Sequence, residues 1–189
     1  MRSALISTGA PEHVLGGVLL MQLGRRLRLP VATNAVCSDA KTFTVQAGAE
    51  RAILCLATAA AGASVVGGLG WLDSLNSISH EMLVLDADMA EAVLRLRRGA
   101  ACDDESLALD VIRVVGHGGH YVEQDHTLQH VRKDVWYPTV WERSSRLPQR
   151  GEDDSLQIRT RERIQHLLAS HRPPVLSHKS QEALAAPVG

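Results

Sequence analysis

The sequence predicts an α/β fold in which a small parallel sheet is covered by helices. Three observations carry this reading. Short apolar runs at residues 4–7, 31–36 and 63–67 have the length of strands. Each is followed by a longer stretch with apolar residues at helical spacing. Successive strands are thus joined through helices, which is the pattern of a parallel sheet with helical cover.

The first unit begins with Ala4-Leu5-Ile6-Ser7 as a strand. Thr8-Gly9-Ala10-Pro11-Glu12 then opens a helix. Pro11 suits the first turn, where its missing N–H has no intrahelical use, and Glu12 complements the positive end of the helix dipole. Val14, Leu15, Val18, Leu19 and Leu23 form one broad apolar face. Arg25, Arg26 and Arg28 favour the C-terminal end, and Pro30 stops the helix. The second unit is a strand at 31–36 and a helix at 44–61. The third is a strand at 63–67, a Gly-Gly-Leu-Gly-Trp-Leu-Asp turn, and a helix at 79–98.

After residue 101 the pattern changes. Asp103-Asp104-Glu105-Ser106 caps a short helix at 107–115, followed by a loop at 116–119. A segment rich in His and Trp spans 120–143, and 147–154 is polar. Residues 156–170 read as a last amphipathic helix, before Pro173-Pro174 and a weakly ordered tail. The chain thus divides into a partial (β/α) barrel at 1–100, a helical or irregular C-terminal extension at 101–172, and a flexible tail at 173–189.

At 189 residues the chain can bury a core as one domain. A net charge of -1 gives no footprint for nucleic acid. The three cysteines, Cys37, Cys55 and Cys102, have no paired spacing, which suits a reducing cytoplasm. The apolar run at residues 4–6 is too short for a signal peptide. Residues 52–72 carry no charge and are about long enough to span a bilayer. Gly62, Gly67, Gly68 and Gly70 weaken a single helix there, so a buried helix and a buried strand are the better reading. Three strand-helix units leave sheet edges open. The chain is therefore expected to be a fragment, to need a partner that supplies the missing half, or to self-associate.

In parallel barrels, chemistry sits on the loops that follow strands. The loop after residue 36 holds Asp39 and Lys41, and the next helix carries Gln46 and Glu50 four apart on one face. Each has a structural alternative: Asp39 as a helix cap or partner of Lys41, the others as solvated groups. Trp71 follows a glycine-rich turn, either lining a pocket or packing. Cys37 beside Ser38 is a nucleophile candidate with no local base. His117, His120, His126 and His130 crowd one segment, and the last two have metal-ligand spacing. No metalloprotease glutamate and no nearby cysteine accompany them, and structural or partner-contact histidines are the preferred reading.

These residues resemble the trimethylamine methyltransferase family. The likeness runs through Thr8-Gly9-Ala10-Pro11-Glu12, Ser38-Asp39-Ala40-Lys41, Gln46-Ala47-Gly48 with Glu50, and Ala61-Gly62-Ala63 with Gly70 and Leu72-Asp73. It continues in Glu81-Met82-Leu83-Val84-Leu85-Asp86, Leu107 to Ile112, Val115-Gly116, Gly118-Gly119-His120, His126-Thr127 and Trp136-Tyr137-Pro138. The resemblance implies a partial TIM-type barrel matching only the C-terminal part of longer chains. It implies methyl transfer from a methylated amine to the cobalt of a corrinoid, carried by a separate partner protein. No cofactor is then bound directly, and no metal-site residue is assigned. The family usually has an acidic residue two positions before its glutamine. Here that position is Thr44, which removes an anion. No pyrrolysine is present, so the resemblance points to a betaine-like quaternary amine.

A quaternary ammonium leaves as a neutral amine and needs no proton. The enzyme must hold the cation, aim one methyl group and exclude water. Carboxylates or aromatic faces hold cations. The substrate-binding candidates are Asp39, Lys41, Gln46, Glu50, Trp71 and Glu81, with Asp73 and Phe43 nearby in sequence, and Lys41 is suited to a betaine carboxylate. No catalytic group is assigned. The alternatives are a non-catalytic half-barrel assembly module and a His-based metal protein.

Overall fold

The computed structural model describes residues 6–34, 36–144, 155–173 and 175–185. Local chemistry sets its helix ends. Helix α1 (Pro11–Leu27) starts on Pro11 and Glu12. It closes at Arg28, which is left-handed at φ 56°, before Pro30 is reached. The N–H groups of Arg28 and Leu29 donate to the carbonyls of Arg25 and Gly24, satisfying the exposed helix end. Strand β1 (Ala32–Asn34) follows. Helix α2 (Val45–Ala61) is capped by the Thr44 hydroxyl, which accepts from the Ala47 N–H at 3.2 Å. Gly62 ends it at φ 99°.

Strand β2 (Val65–Gly67) pairs with β1 in parallel, with Ala32 opposite Val65 and Asn34 opposite Gly67. A small antiparallel hairpin comes next, β3 (Trp71–Leu72) with β4 (Ser77–Ile78). Helix α3 (His80–Arg98) is capped by Ser79 through the Met82 N–H and carries Arg95, Arg97 and Arg98 in its last turn.

The extension is helical. The helix expected at 107–115 is two helices, α4 (Asp104–Leu107) and α5 (Leu109–Val115), because Ala108 turns left-handed at φ 47° between them. Helix α6 (Asp125–Asp134) lies in the His-rich segment. Helix α7 (Leu156–Ser170) has the bounds read from the sequence. Within the segment read as a tail, α8 (His178–Ala185) forms a further helix.

Of the first expected strand, residues 4 and 5 lie outside the described residues, and Ile6 and Ser7 are not in a strand. The second and third strands are shorter than expected. Residues 52–72 divide into helix and strand at Gly62, and among the described residues no helix is long and apolar enough to cross a membrane.

Helix α1 packs on α2, α2 on α3, and α3 on α7. The core lies between these helices and one side of the strands. Val36, Cys55, Ala59, Met89 and Val93 form one cluster, joined by Val66, Leu69 and Trp141. Ala40, Ala47, Leu72 and Met82 form another, joined by Phe43 and Leu85.

Buried Asp88 fastens the extension to this core. Its carboxylate accepts the N–H groups of Thr139, Val140 and Trp141, the shortest at 2.7 Å from Val140. The apolar face expected on α1 is only partly used. Val14 and Val18 are half-buried, Met21 and Gly24 are buried, and Leu15, Leu19 and Leu23 face outward.

Candidate functional site

Because β1 and β2 are parallel, the loops that follow them leave the same edge of the sheet. Residues 36–41 and 68–73 therefore meet there, joined by the N-terminal loop at 7–10.

Arg51 and Asp86 hold this edge together. Both are fully buried. Arg51 comes from α2, donates to Asp86 Oδ2 at 2.5 Å and to the Val36 carbonyl at 2.9 Å, and also donates to the Trp71 carbonyl. Asp86 comes from α3 and accepts the Gly70 N–H at 2.6 Å. One ion pair thus ties both strand-end loops to the two helices behind them. Gly70 sits at φ 81°, a conformation that glycine adopts without a Cβ penalty. Burial raises the Asp86 carboxyl to about 6 against the pull of the Arg51 guanidinium. Arg51 Nε and Asp86 Oδ1 have no hydrogen-bond partner among the described residues.

Asp39 stands in front of this clamp. Its Oδ1 accepts from the N–H groups of Thr8 at 2.7 Å and Gly9 at 3.1 Å, and from the hydroxyls of Thr8 and Ser74, while Ser7 donates to Oδ2. Partial burial works to raise its pKa, but hydrogen bonds led by Ser7 and Ser74 outweigh it and bring the carboxyl down to about 2. Asp39 therefore shapes the N-terminal loop as an ionised acceptor.

Glu50 is the second carboxylate. Its Oε2 accepts from the Ser38 hydroxyl at 2.5 Å and the Asp39 N–H at 3.0 Å, and its Oε1 accepts from Gln46 at 2.7 Å. The carboxylate lies against Gly9, where a Cβ would come within 2.2 Å of Oε2.

The structure thus brings Asp39, Gln46 and Glu50 into one hydrogen-bonded chain. Lys41 is exposed and pairs with Asp73 across the two loops. Trp71 is half-buried and packs on Cys37 and Leu54. Glu81 is not part of the network; it accepts from Ser79 at 2.9 Å and Arg161 at 3.4 Å. Thr44, the departure from the family pattern, is the cap of α2. Burial pushes the Cys37 thiol up, which disfavours the thiolate that a nucleophile needs.

His126 and His130 meet Glu105, and His117 and His120 do not join that group. A cavity of about 590 Å³ opens between α2, α3 and the segment at 134–143, lined by Leu56, Met89, Val93, Trp136 and Trp141 among others. None of the site candidates lines it.

Sequence reasoning missed the clamp. Its signal was visible: Glu50 and Arg51 are the charged residues of an otherwise uncharged α2.

A sequence profile described as Trimethylamine methyltransferase (MTTB) matches residues 1–188. The chain belongs to the trimethylamine methyltransferase family. Among curated relatives, the glycine betaine methyltransferase of Desulfitobacterium hafniense (strain Y51) is 31% identical over 187 residues, 98% of this chain and 39% of the relative. A trimethylamine methyltransferase of Methanosarcina mazei is 30% identical over 187 residues, 93% of this chain and 36% of the relative. A trimethylamine methyltransferase of Desulfitobacterium hafniense is 30% identical over 132 residues, covering 70% of this chain and 27% of the relative. This family member therefore spans less than two fifths of the length of the relatives it matches.

Proposed function

We propose that this chain is part of an enzyme that moves a methyl group from a methylated amine, of betaine or trimethylamine type, to the cobalt of a corrinoid on a partner protein. The observation that carries this reading is the family match along nearly the whole chain. The glycine betaine methyltransferase covering 98% of it supports the betaine type. In this reading the chain supplies part of a TIM-type barrel. The parallel β1–β2 pair joined through α2 supports that placement, and the remainder of the barrel comes from a complementary segment or a second copy.

The strand-end edge then holds the substrate cation. Glu50 and Gln46 form the substrate-facing pair, because Gln46 is exposed and the Glu50 Oε1 beside it accepts from Gln46 alone among the described bonds. Asp39 positions the loops, since its oxygens are taken by Ser7, Thr8, Gly9 and Ser74. Lys41 is placed for a substrate carboxylate once it exchanges its bond to Asp73. Departure of a neutral amine from a quaternary centre requires no proton donor, so positioning and charge do the work.

The test is incubation with reduced corrinoid protein and a panel of methylated amines, followed by the visible spectrum of methyl-cobalt. Methyl transfer from a betaine-type substrate is expected, with the missing barrel segment added in trans. No methyl-cobalt with any substrate, with or without that segment, would sink the reading.

A second reading is a non-catalytic assembly module. The outward Leu15, Leu19 and Leu23 favour it, since they offer a surface for another segment. Tight capture of that segment without methyl transfer would select it.

A further inference from the structure

We propose that Glu105, His126 and His130 form a binding site for a divalent transition metal of the zinc class, bridging α4 and α6. The site is separate from the strand-end edge and independent of the methyl-transfer reading.

The geometry starts from spacing. His126 and His130 are four residues apart on α6, so both rings project from one face. The rings stack with centroids 4.1 Å apart and planes 26° apart, and both Nε2 atoms face α4. Glu105 on α4 meets them there. Its Oε1 is 2.9 Å from His130 Nε2 and 3.8 Å from His126 Nε2. One donor atom from each residue lies within 4.8 Å of the others. A tetrahedral ion with bonds of about 2.0–2.1 Å holds neighbouring donors roughly 3.3 Å apart. The two oxygen–nitrogen distances bracket that separation, so a small inward adjustment seats the ion.

A fourth residue supports the assignment. Asp134 is one further helical step along α6, and its Oδ2 lies 2.5 Å from His130 Nδ1. A carboxylate on the far nitrogen fixes the ring's orientation and directs Nε2 toward the metal, as outer partners of metal-bound histidines do. Without an ion, the close approach of His130 Nε2 to Glu105 needs a proton between them. An incoming cation replaces that proton and releases it to solvent. His126 Nε2 lies 2.9 Å from the Glu105 carbonyl, and its lone pair is available to the ion in the tautomer that carries the proton on Nδ1.

Two imidazoles and one carboxylate suit zinc and its neighbours better than calcium or magnesium, which favour oxygen-rich sets. The Glu105 side chain is 63% exposed, so an ion has an open path and solvent supplies the remaining ligand. Sequence spacing pointed to the two histidines. Glu105 lies 21 residues before His126, and only the fold brings it in.

The test uses the full chain after chelator treatment. Calorimetric titration with zinc chloride at neutral pH is expected to give one ion per chain. Cobalt(II) should give the visible absorption bands of a low-symmetry site. E105Q and H130A are each expected to abolish stoichiometric binding, with helical circular dichroism retained. D134N is expected to weaken it about 10–100-fold. A His117→Ala, His120→Ala double variant should bind as the parent does. No stoichiometric binding by the parent chain overturns the proposal. So does binding that survives both E105Q and H130A, or binding lost in the His117/His120 variant alone.

Discussion

Arg51 decides more of this molecule than any other side chain, because it is buried, charged and bonded to three separate segments. Arg51→Ala would leave Asp86 in the core without its cation and release the Val36 and Trp71 carbonyls. A buried pair broken from one side typically costs about 3–5 kcal/mol. The expected outcome is a loss of that order in urea or thermal unfolding. An Arg51→Met, Asp86→Leu double variant should recover much of it, because neither charge is then stranded. A double variant as unstable as Arg51→Ala would show that loop anchoring, not charge burial, is the dominant contribution. Asp39 and Glu50 were legible as candidates because they are the carboxylates nearest the strand-end loop. Their partners were not. Ser7, Thr8 and Gly9 stand about thirty residues before Asp39, and nothing local to the loop announces a contact over that separation.

At the scale of elements, helix starts were the most legible feature. Thr44, Ser79 and Ser155 each accept an N–H from the first turn of the helix that follows, and this chemistry is confined to a few adjacent residues. It also reassigns Thr44. Its hydroxyl caps α2, a task an aspartate at the same place performs equally well with added help from the helix dipole. Thr44→Ala is therefore expected to lower stability by about 1 kcal/mol, within the usual range for a lost cap. Thr44→Asp should match or exceed the parent. Equilibrium denaturation reads both, and a Thr44→Asp variant as weak as Thr44→Ala would contradict the cap.

The face of α1 was less legible. Periodicity placed Val14, Leu15, Val18, Leu19 and Leu23 on one broad face, but it did not decide which side of that face is buried. Close approach did. Gly17 lies beside Thr58 and Gly24 beside Val31, so the helix turns its small residues inward and its leucines outward.

At the scale of the whole molecule, Leu15, Leu19, Leu23, Ile53 and Val65 lie exposed on the strand-helix part. Leu15, Leu19 and Leu23 follow one another at four-residue steps on α1, and an exposed apolar row of this kind marks an interface or an association hazard. The purified chain is expected to bind an apolar dye and to self-associate in light scattering. Leu15→Gln, Leu19→Gln and Leu23→Gln together should reduce both. A dye-silent monomer would show that this surface needs no cover.

The sequence by itself determined the alternation of strand and helix between residues 31 and 98, the starts of α2, α3 and α7, the family and the position of the carboxylate-bearing loop, because these depend on neighbouring residues or on motif order. Only the tertiary structure decided that Asp39 is consumed by the N-terminal loop, that Arg51 and Asp86 clamp the strand ends, and that Glu105 joins His126 and His130. Those outcomes require groups far apart in the chain to be desolvated or hydrogen-bonded together, which pattern along a chain does not encode.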